Sequence, residues 1–340
     1  MKKTLLLFIA IAAISNSYSQ TYKLSKKINT SGDNGWDYLA VDDVAQHLFV
    51  SHGNVVKIID LKSDKTIATI PDTKGVHGIA IANDLNKAFI SNGKDNSVTV
   101  VDLNSFELVE KVKIAGSKPD AILYDQFSRK VFVYNGESKD ATVIDANTNK
   151  VVKTIPLGGN PEFSVTNTKG LIYVNIEDKN TIKTINTSTL KVTNSWSIAP
   201  GDEPSGLAID LVTNRLFSVC SNKLMIVVNA ANGKIIKTLP IGAGCDGVAF
   251  DAKKKLIFTS NGEGTITVIK VGSGAAFSVL ETIKTQKGAR TIALNKTKGQ
   301  LYLPTADFGA KPAPTAENPK PRAVIVPNSF VVLVVEPISK

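Results

Sequence analysis

Cysteine is almost missing from this chain: two residues, Cys220 and Cys245, in 340. Two thiols do not make a disulfide scaffold at this length, and no Cys-x-x-Cys spacing marks a zinc or redox motif. In an oxidising compartment the two are expected to lie near enough to bond. Histidine is equally sparse, with only His47, His52 and His77. The chain has no His-Glu-x-x-His, no EF-hand loop, no Gly-x-Ser-x-Gly, no phosphate loop and no Gly-x-Gly-x-x-Gly opening a helix, so the common metallo-, hydrolase and nucleotide-site signatures do not apply. Past the first 14 residues no apolar run approaches the ~20 residues of a membrane span. A 3.6-residue apolar period is also lacking, which removes the main helix signal.

What is present begins with Met1-Lys2-Lys3, an apolar stretch from Thr4 to Ile14 and small polar residues ending at Ser17-Tyr18-Ser19. This pattern is that of a cleavable secretory signal over residues 1–19, with the mature chain starting at Gln20. No Cys follows the apolar stretch, so no lipid anchor is expected. A periplasmic or secreted protein follows. Without Lys2 and Lys3 the formal charge falls from +10 to +8. That balance permits an anionic partner without requiring one.

The rest of the chain is a repeat. Short runs rich in Val, Ile and Phe, bounded by Gly, Asn and Asp, read as strands. In the clearest repeat they fall at Gly78–Ala82, Lys87–Asn92, Ser97–Leu103 and Glu107–Ile114. Alignment of the repeats puts Asp37, His77, Asp120, Glu162, Ser205, Asp246 and Arg290 in one column, spaced by 40 to 44 residues. That spacing fits a four-stranded propeller blade. A second column holds His52, Asn92, Asn135, Asn175, Cys220, Asn261 and Thr305. Three of its Asn residues precede Gly, so left-handed Asn-Gly turns are expected there. The last repeat lacks a fourth strand, whereas residues 22–30 resemble one without a blade. The expected architecture is therefore all-β: one seven-bladed propeller over residues 20–340, closed by its N-terminal strand, with a Pro-rich insertion at 306–328 in blade seven.

Tyr173-Val174-Asn175, Phe89-Ile90-Ser91-Asn92 and Val98-Thr99-Val100-Val101-Asp102-Leu103 give the chain a resemblance to the YVTN-repeat, or YncE-like, bacterial β-propellers, a kind of WD40-like repeat fold. The resemblance implies the fold over the whole mature chain. It implies no single activity, because members of that family have been linked to single-stranded DNA binding, cell-surface roles and cofactor handling.

In a propeller the first column and the second surround one mouth of the central channel. Asp37, His77, Asp120, Glu162, Asp246 and Arg290, with His52, Trp36, Asn92, Asn135, Asn175 and Asn261, are therefore the expected ligand-binding set. Glu177, Asp178, Asp202 and Glu203 add negative charge nearby. The expected occupant is a small cationic or polar ligand, or an extracytoplasmic protein partner. Polar residues that merely solvate the channel are the plainer reading of the same column. His52 and His77 beside carboxylates form a set able to take zinc, but a turn and a channel histidine explain them more simply. No metal, cofactor or catalytic residue is assigned. Trp36 and Tyr38 flank Asp37, where they can stack a planar ligand or pack between blades. Single-stranded DNA is a rival partner, disfavoured because an acidic mouth repels phosphate and the lysines (Lys62, Lys111, Lys150, Lys234 among them) are spread around the rim. A lactonase-like hydrolase is the enzymatic alternative. A monomer is expected.

Overall fold

The computed structural model describes residues 21–30, 32, 34–315, 319, 321 and 323–338. The expected signal segment, 1–19, lies outside the described residues. Seven four-stranded antiparallel sheets follow one another around a ring, six of them running in chain order from an inner strand A to an outer strand D. The inner strands are Trp36–Asp42, Val76–Ala82, Pro119–Asp125, Pro161–Thr166, Pro204–Asp210, Cys245–Asp251 and Ala293–Asn295. Among the described residues only two single-turn 3-10 segments, Asn83–Leu85 and Glu177–Lys179, interrupt the strands. No helix among them is long and apolar enough to cross a membrane.

The middle strands B and C are apolar on both faces because both faces are covered. In strand B of blade one, Leu48 and Val50 pack toward blade seven, and Phe49 packs toward blade two. Side chains alternate across a strand, so each sheet feeds two cores. Seven such cores lie between successive blades, one per interface. The outer D strands alternate less and are largely exposed, as in Lys65–Ile70.

The ring closes as the sequence predicts. Tyr22–Asn29 pairs antiparallel with Val331–Pro337, so blade seven takes its outer strand from the N-terminus and covers the edge of Val331–Pro337. Tyr22 is buried and meets Phe258 of blade six edge-on, with ring centroids 4.9 Å apart.

Two expectations fail. The left-handed residue of the B-to-C turns is not the Gly after Asn. It is the last turn residue: Asn96, Lys139 and Gly264 in blades two, three and six. These turns hold three or four residues between the paired ends, Asn92 with Ser97, Asn135 with Asp140 and Asn261 with Thr265, so the two-residue Asn-Gly geometry does not arise. Nor do the cysteines bond. Both are free and buried. Cys220 sits in the core between blades four and five and Cys245 in the core between five and six, so the sheet of blade five separates them.

Candidate functional site at the channel mouth

Strand A does not run evenly. Its register against strand B breaks at the same place in six blades: between Trp36 and Leu39, Val76 and Ile79, Pro119 and Ile122, Pro161 and Ser164, Pro204 and Leu207, and Cys245 and Gly247. Each column residue falls inside its break. A bulge of this kind re-aims side chains and leaves backbone groups without a ladder partner. In three of these blades a serine on strand B supplies the partner. Ser51 Oγ accepts from the Asp37 amide at 3.0 Å and donates to the Tyr38 carbonyl at 2.8 Å. Ser91 accepts from the Gly78 amide at 2.8 Å and donates to the Asp120 carbonyl of the next blade. Ser260 donates to the carbonyls of Gly247 and Arg290.

The bulges bring the column together. His77 Nδ1 lies 2.6 Å from Asp37 Oδ2 and 3.5 Å from Asp120 Oδ1. Arg290 spans the other side, 3.3 Å from Asp37 Oδ1 and 2.9 Å from Asp246 Oδ2. Ser205 donates to the Cys245 carbonyl at 3.3 Å. Glu162 is near enough to Asp120, Asp246 and Asp37 for their charges to act on it.

Beneath the ring the channel is plugged. Tyr38 reaches from blade one to blade four, where its ring meets Phe163 edge-on at 5.2 Å and its hydroxyl lies 3.5 Å from Glu162. Beside this pair a cavity of about 380 Å³ is lined by strand A residues such as Leu39, Ile79, Ala121 and Phe163, with Tyr38, Ser164 and Lys296. The acidic ring is thus backed at Glu162 by two aromatic rings.

That setting governs its protonation. Burial pushes the Glu162 carboxyl up to about 9, and Asp120 and Asp246 add to the rise. Burial lifts Asp120 to about 6 although the His77 charge opposes it. Asp246 is raised by burial despite Arg290. Burial alone would lower His77, but the hydrogen bond it donates to Asp37 and the charges of Asp120 and Asp37 outweigh it, and the imidazolium is favoured.

Several expected site residues do not face the mouth. Asn92, Asn135, Asn175 and Asn261 are fully buried. Asn92 Nδ2 donates to Ser97 and Thr99, Asn135 to Asp140 and Thr142, and Asn261 to Thr265 and Thr267. Asn175 donates to the carbonyls of Ser205 and Gly206 in blade five. These amides pin hairpins and blades, so they are structural. His52 is buried and stacks on Phe330 with ring centroids 4.1 Å apart. Trp36 packs on Phe330 and Phe308, at 5.4 and 5.9 Å. Tyr38 is a plug and is not free to stack a ligand. Of the added acids, Glu177 reaches the ring by its charge on Glu162, while Asp178 pairs with Lys139 at 2.9 Å and Glu203 accepts from Ser221.

The insertion at 306–328 leaves blade seven as an arm whose sides meet at Phe308 and Ile325. A cavity of about 570 Å³ separates it from the ring, walled by Trp36, Arg290, Phe308 and Lys311. The bulges and their serines were not foreseen, although Ser51-His52, Ser91-Asn92 and Ser260-Asn261 repeat visibly in the sequence.

Known proteins share the fold. A hydrazine synthase chain of Kuenenia stuttgartiensis superposes with a TM-score of 0.71 at 15% identity, over 81% of this chain and 94% of that one. The WD40 repeats of RRP9 give 0.76 at 9% identity, over 93% and 98%. U3-55K gives 0.75 at 10%, over 94% and 98%. At such identities the likeness is one of fold alone. No curated protein matches the chain. Its residues 14–171 do match the family described as YNCE-like beta-propeller, in line with the resemblance that its repeat motifs carry.

Proposed function

We propose that this propeller is a binding module whose mouth takes a small cationic ligand. The observation that carries the reading is an excess of acidic over basic groups in a largely buried ring of side chains. Four carboxylates, Asp37, Asp120, Glu162 and Asp246, converge there with only two basic groups, the Arg290 guanidinium and the His77 imidazole. Carboxylates held this close and this dry are more stable protonated or neutralised by a cation, and a cation that enters replaces those protons. A rigid concave site with a few convergent charged groups is also the usual form of a small-ligand pocket. The reading includes export, which mass spectrometry of the periplasmic or secreted protein tests by looking for a chain starting at Gln20.

Calorimetric titration of the purified protein with a panel of amines, a diamine and divalent metals tests the binding. A cation that binds to the wild type and binds much more weakly to Asp120→Asn/Asp246→Asn supports the reading. If no cation binds, or if oligonucleotides bind instead with a steep salt dependence, the reading fails.

A further inference from the structure

We propose that Asp37, His77 and Asp120 form a binding site for one divalent transition-metal ion. The proposal rests on the cation-binding reading of the mouth and names the class of cation.

The three donors come from the bulges of three successive inner strands, and their ligand atoms all lie within 4.8 Å of one another. A metal bound about 2.1 Å from each of its ligands sets neighbouring ligand atoms about 3 to 3.4 Å apart. The observed 2.6 Å between His77 Nδ1 and Asp37 Oδ2, and 3.5 Å to Asp120 Oδ1, bracket that spacing. One imidazole nitrogen with two carboxylate oxygens suits zinc, manganese or cobalt better than calcium or magnesium, which take oxygen alone.

A second observation points the same way. His77 Nδ1 carries at most one proton, and it is directed to Asp37. Among the described residues no hydrogen bond reaches the Asp120 carboxylate, whose nearest cationic partner is His77 Nδ1 at 3.5 Å and whose side chain is only 19% exposed. A carboxylate this sheltered and this poorly paired is stabilised by a cation or by a proton.

The donors are also held by their surroundings, as metal ligands require. Ser91 bonds the Gly78 amide, next to His77, and the Asp120 carbonyl. Ser51 and Thr291 fix the Asp37 backbone from two sides, the latter at 2.7 Å. Arg290 occupies Asp37 Oδ1 and leaves Oδ2 toward the histidine. The far edge of the imidazole, Cδ2 and Nε2, rests against Gly93, so Nδ1 is the nitrogen presented to the carboxylates.

The test is calorimetry of chelator-stripped protein with Zn2+, Mn2+ and Co2+, together with the visible absorption of the Co2+ form. The expected result is one equivalent bound, with a Co2+ spectrum changed by His77→Ala and affinity lowered roughly 10- to 100-fold by His77→Ala and by Asp120→Asn. Asp72→Asn, on the exposed Lys111 pair away from the ring, should bind like the wild type. Thermal unfolding by circular dichroism establishes that each variant is folded. If His77→Ala does not fold, Asp120→Asn and the Co2+ spectrum of the wild type decide. Binding that is unchanged in folded Asp120→Asn overturns the proposal. Binding of a diamine without binding of any metal overturns it too, while leaving the cation-binding reading intact; if neither binds, both fall.

Discussion

Tyr38 of blade one crosses the channel and sets its hydroxyl 3.5 Å from the Glu162 carboxylate of blade four. This pair divides the channel into an acidic mouth and an apolar interior. Both Tyr38 and Phe163, its ring partner, occupy the strand A bulges beside the acidic column, so in blades one and four one irregularity supplies both a ring carboxylate and an aromatic side chain of the plug.

Removing the plug should cost more than removing its hydroxyl. Tyr38 is 8% exposed and packs in the core between blades three and four. Tyr38→Ala is expected to lose about 3 to 5 kcal/mol in urea unfolding, and Tyr38→Phe about 1 kcal/mol or less, because the hydrogen bond is long. Equal losses for the two would show that the ring does not fill the channel.

Glu162 should make the protein less stable as pH rises. Its carboxyl stands near 4.5 in an unfolded chain and near 9 in the fold, so over that window the folded state holds a proton that the unfolded state has released. Its contribution is fully present below pH 4.5 and is lost as pH rises toward 9. With a chelator present, Glu162→Gln, which keeps the neutral shape, should be more stable than the wild type by roughly 1 to 3 kcal/mol at pH 8. The gap should close toward pH 5. Denaturant melts at the two values decide the matter, and a variant weaker than the wild type at pH 8 would refute it.

Gly93 makes room for His77. A Cβ there would lie 2.9 Å from the imidazole Cδ2 and Nε2 and 3.2 Å from the Pro119 carbonyl. Gly93→Ala is expected to cost about 1 to 3 kcal/mol and to weaken cation binding at the mouth. Gly35→Ala, whose Cβ would meet nothing within 4 Å, should do neither. Indistinguishable melts and titrations for the two variants would remove the steric role of Gly93.

Cys220 and Cys245 should remain thiols. Both are buried, and burial pushes the Cys220 thiol up to about 12. Thiol reagent added to native protein under non-reducing conditions should label neither residue, and after denaturation it should label both. An intact mass two units low, or a missing label after denaturation, would reveal a disulfide and falsify the separation of the two residues by blade five.

Closure of the ring through Tyr22–Asn29 makes the N-terminal strand structural. Tyr22→Ala, at a side chain 1% exposed, should cost about 3 to 5 kcal/mol, whereas Lys23→Ala on the exposed side of the same strand should change stability by less than about 0.5 kcal/mol. Chemical denaturation of both variants measures the contrast, and similar losses would mean that the strand contributes little through Tyr22.

The sequence by itself determined the number of blades, their strands and the closure of the ring, because these depend on a repeat period and a two-residue alternation that are local in the chain. Gly78–Ala82 and Lys87–Asn92 as read from sequence differ little from Val76–Ala82 and Lys87–Asn92 in the fold. It also placed Asp37, His77, Asp120, Glu162, Asp246 and Arg290 in one column, since equivalent positions of equal repeats occupy equivalent places around an axis. Only the tertiary structure decided which polar residues face the mouth. Asn92 and Asp120 are alike in the alignment as polar residues at strand ends, but one turns into its own hairpin and the other into the channel. That choice is made by the bulge in strand A, by the serine that bonds its freed backbone, and by a tyrosine that crosses from the opposite blade. Each of these depends on contacts between blades, such as the 124 residues between Tyr38 and Glu162, and no periodicity within one repeat can report them.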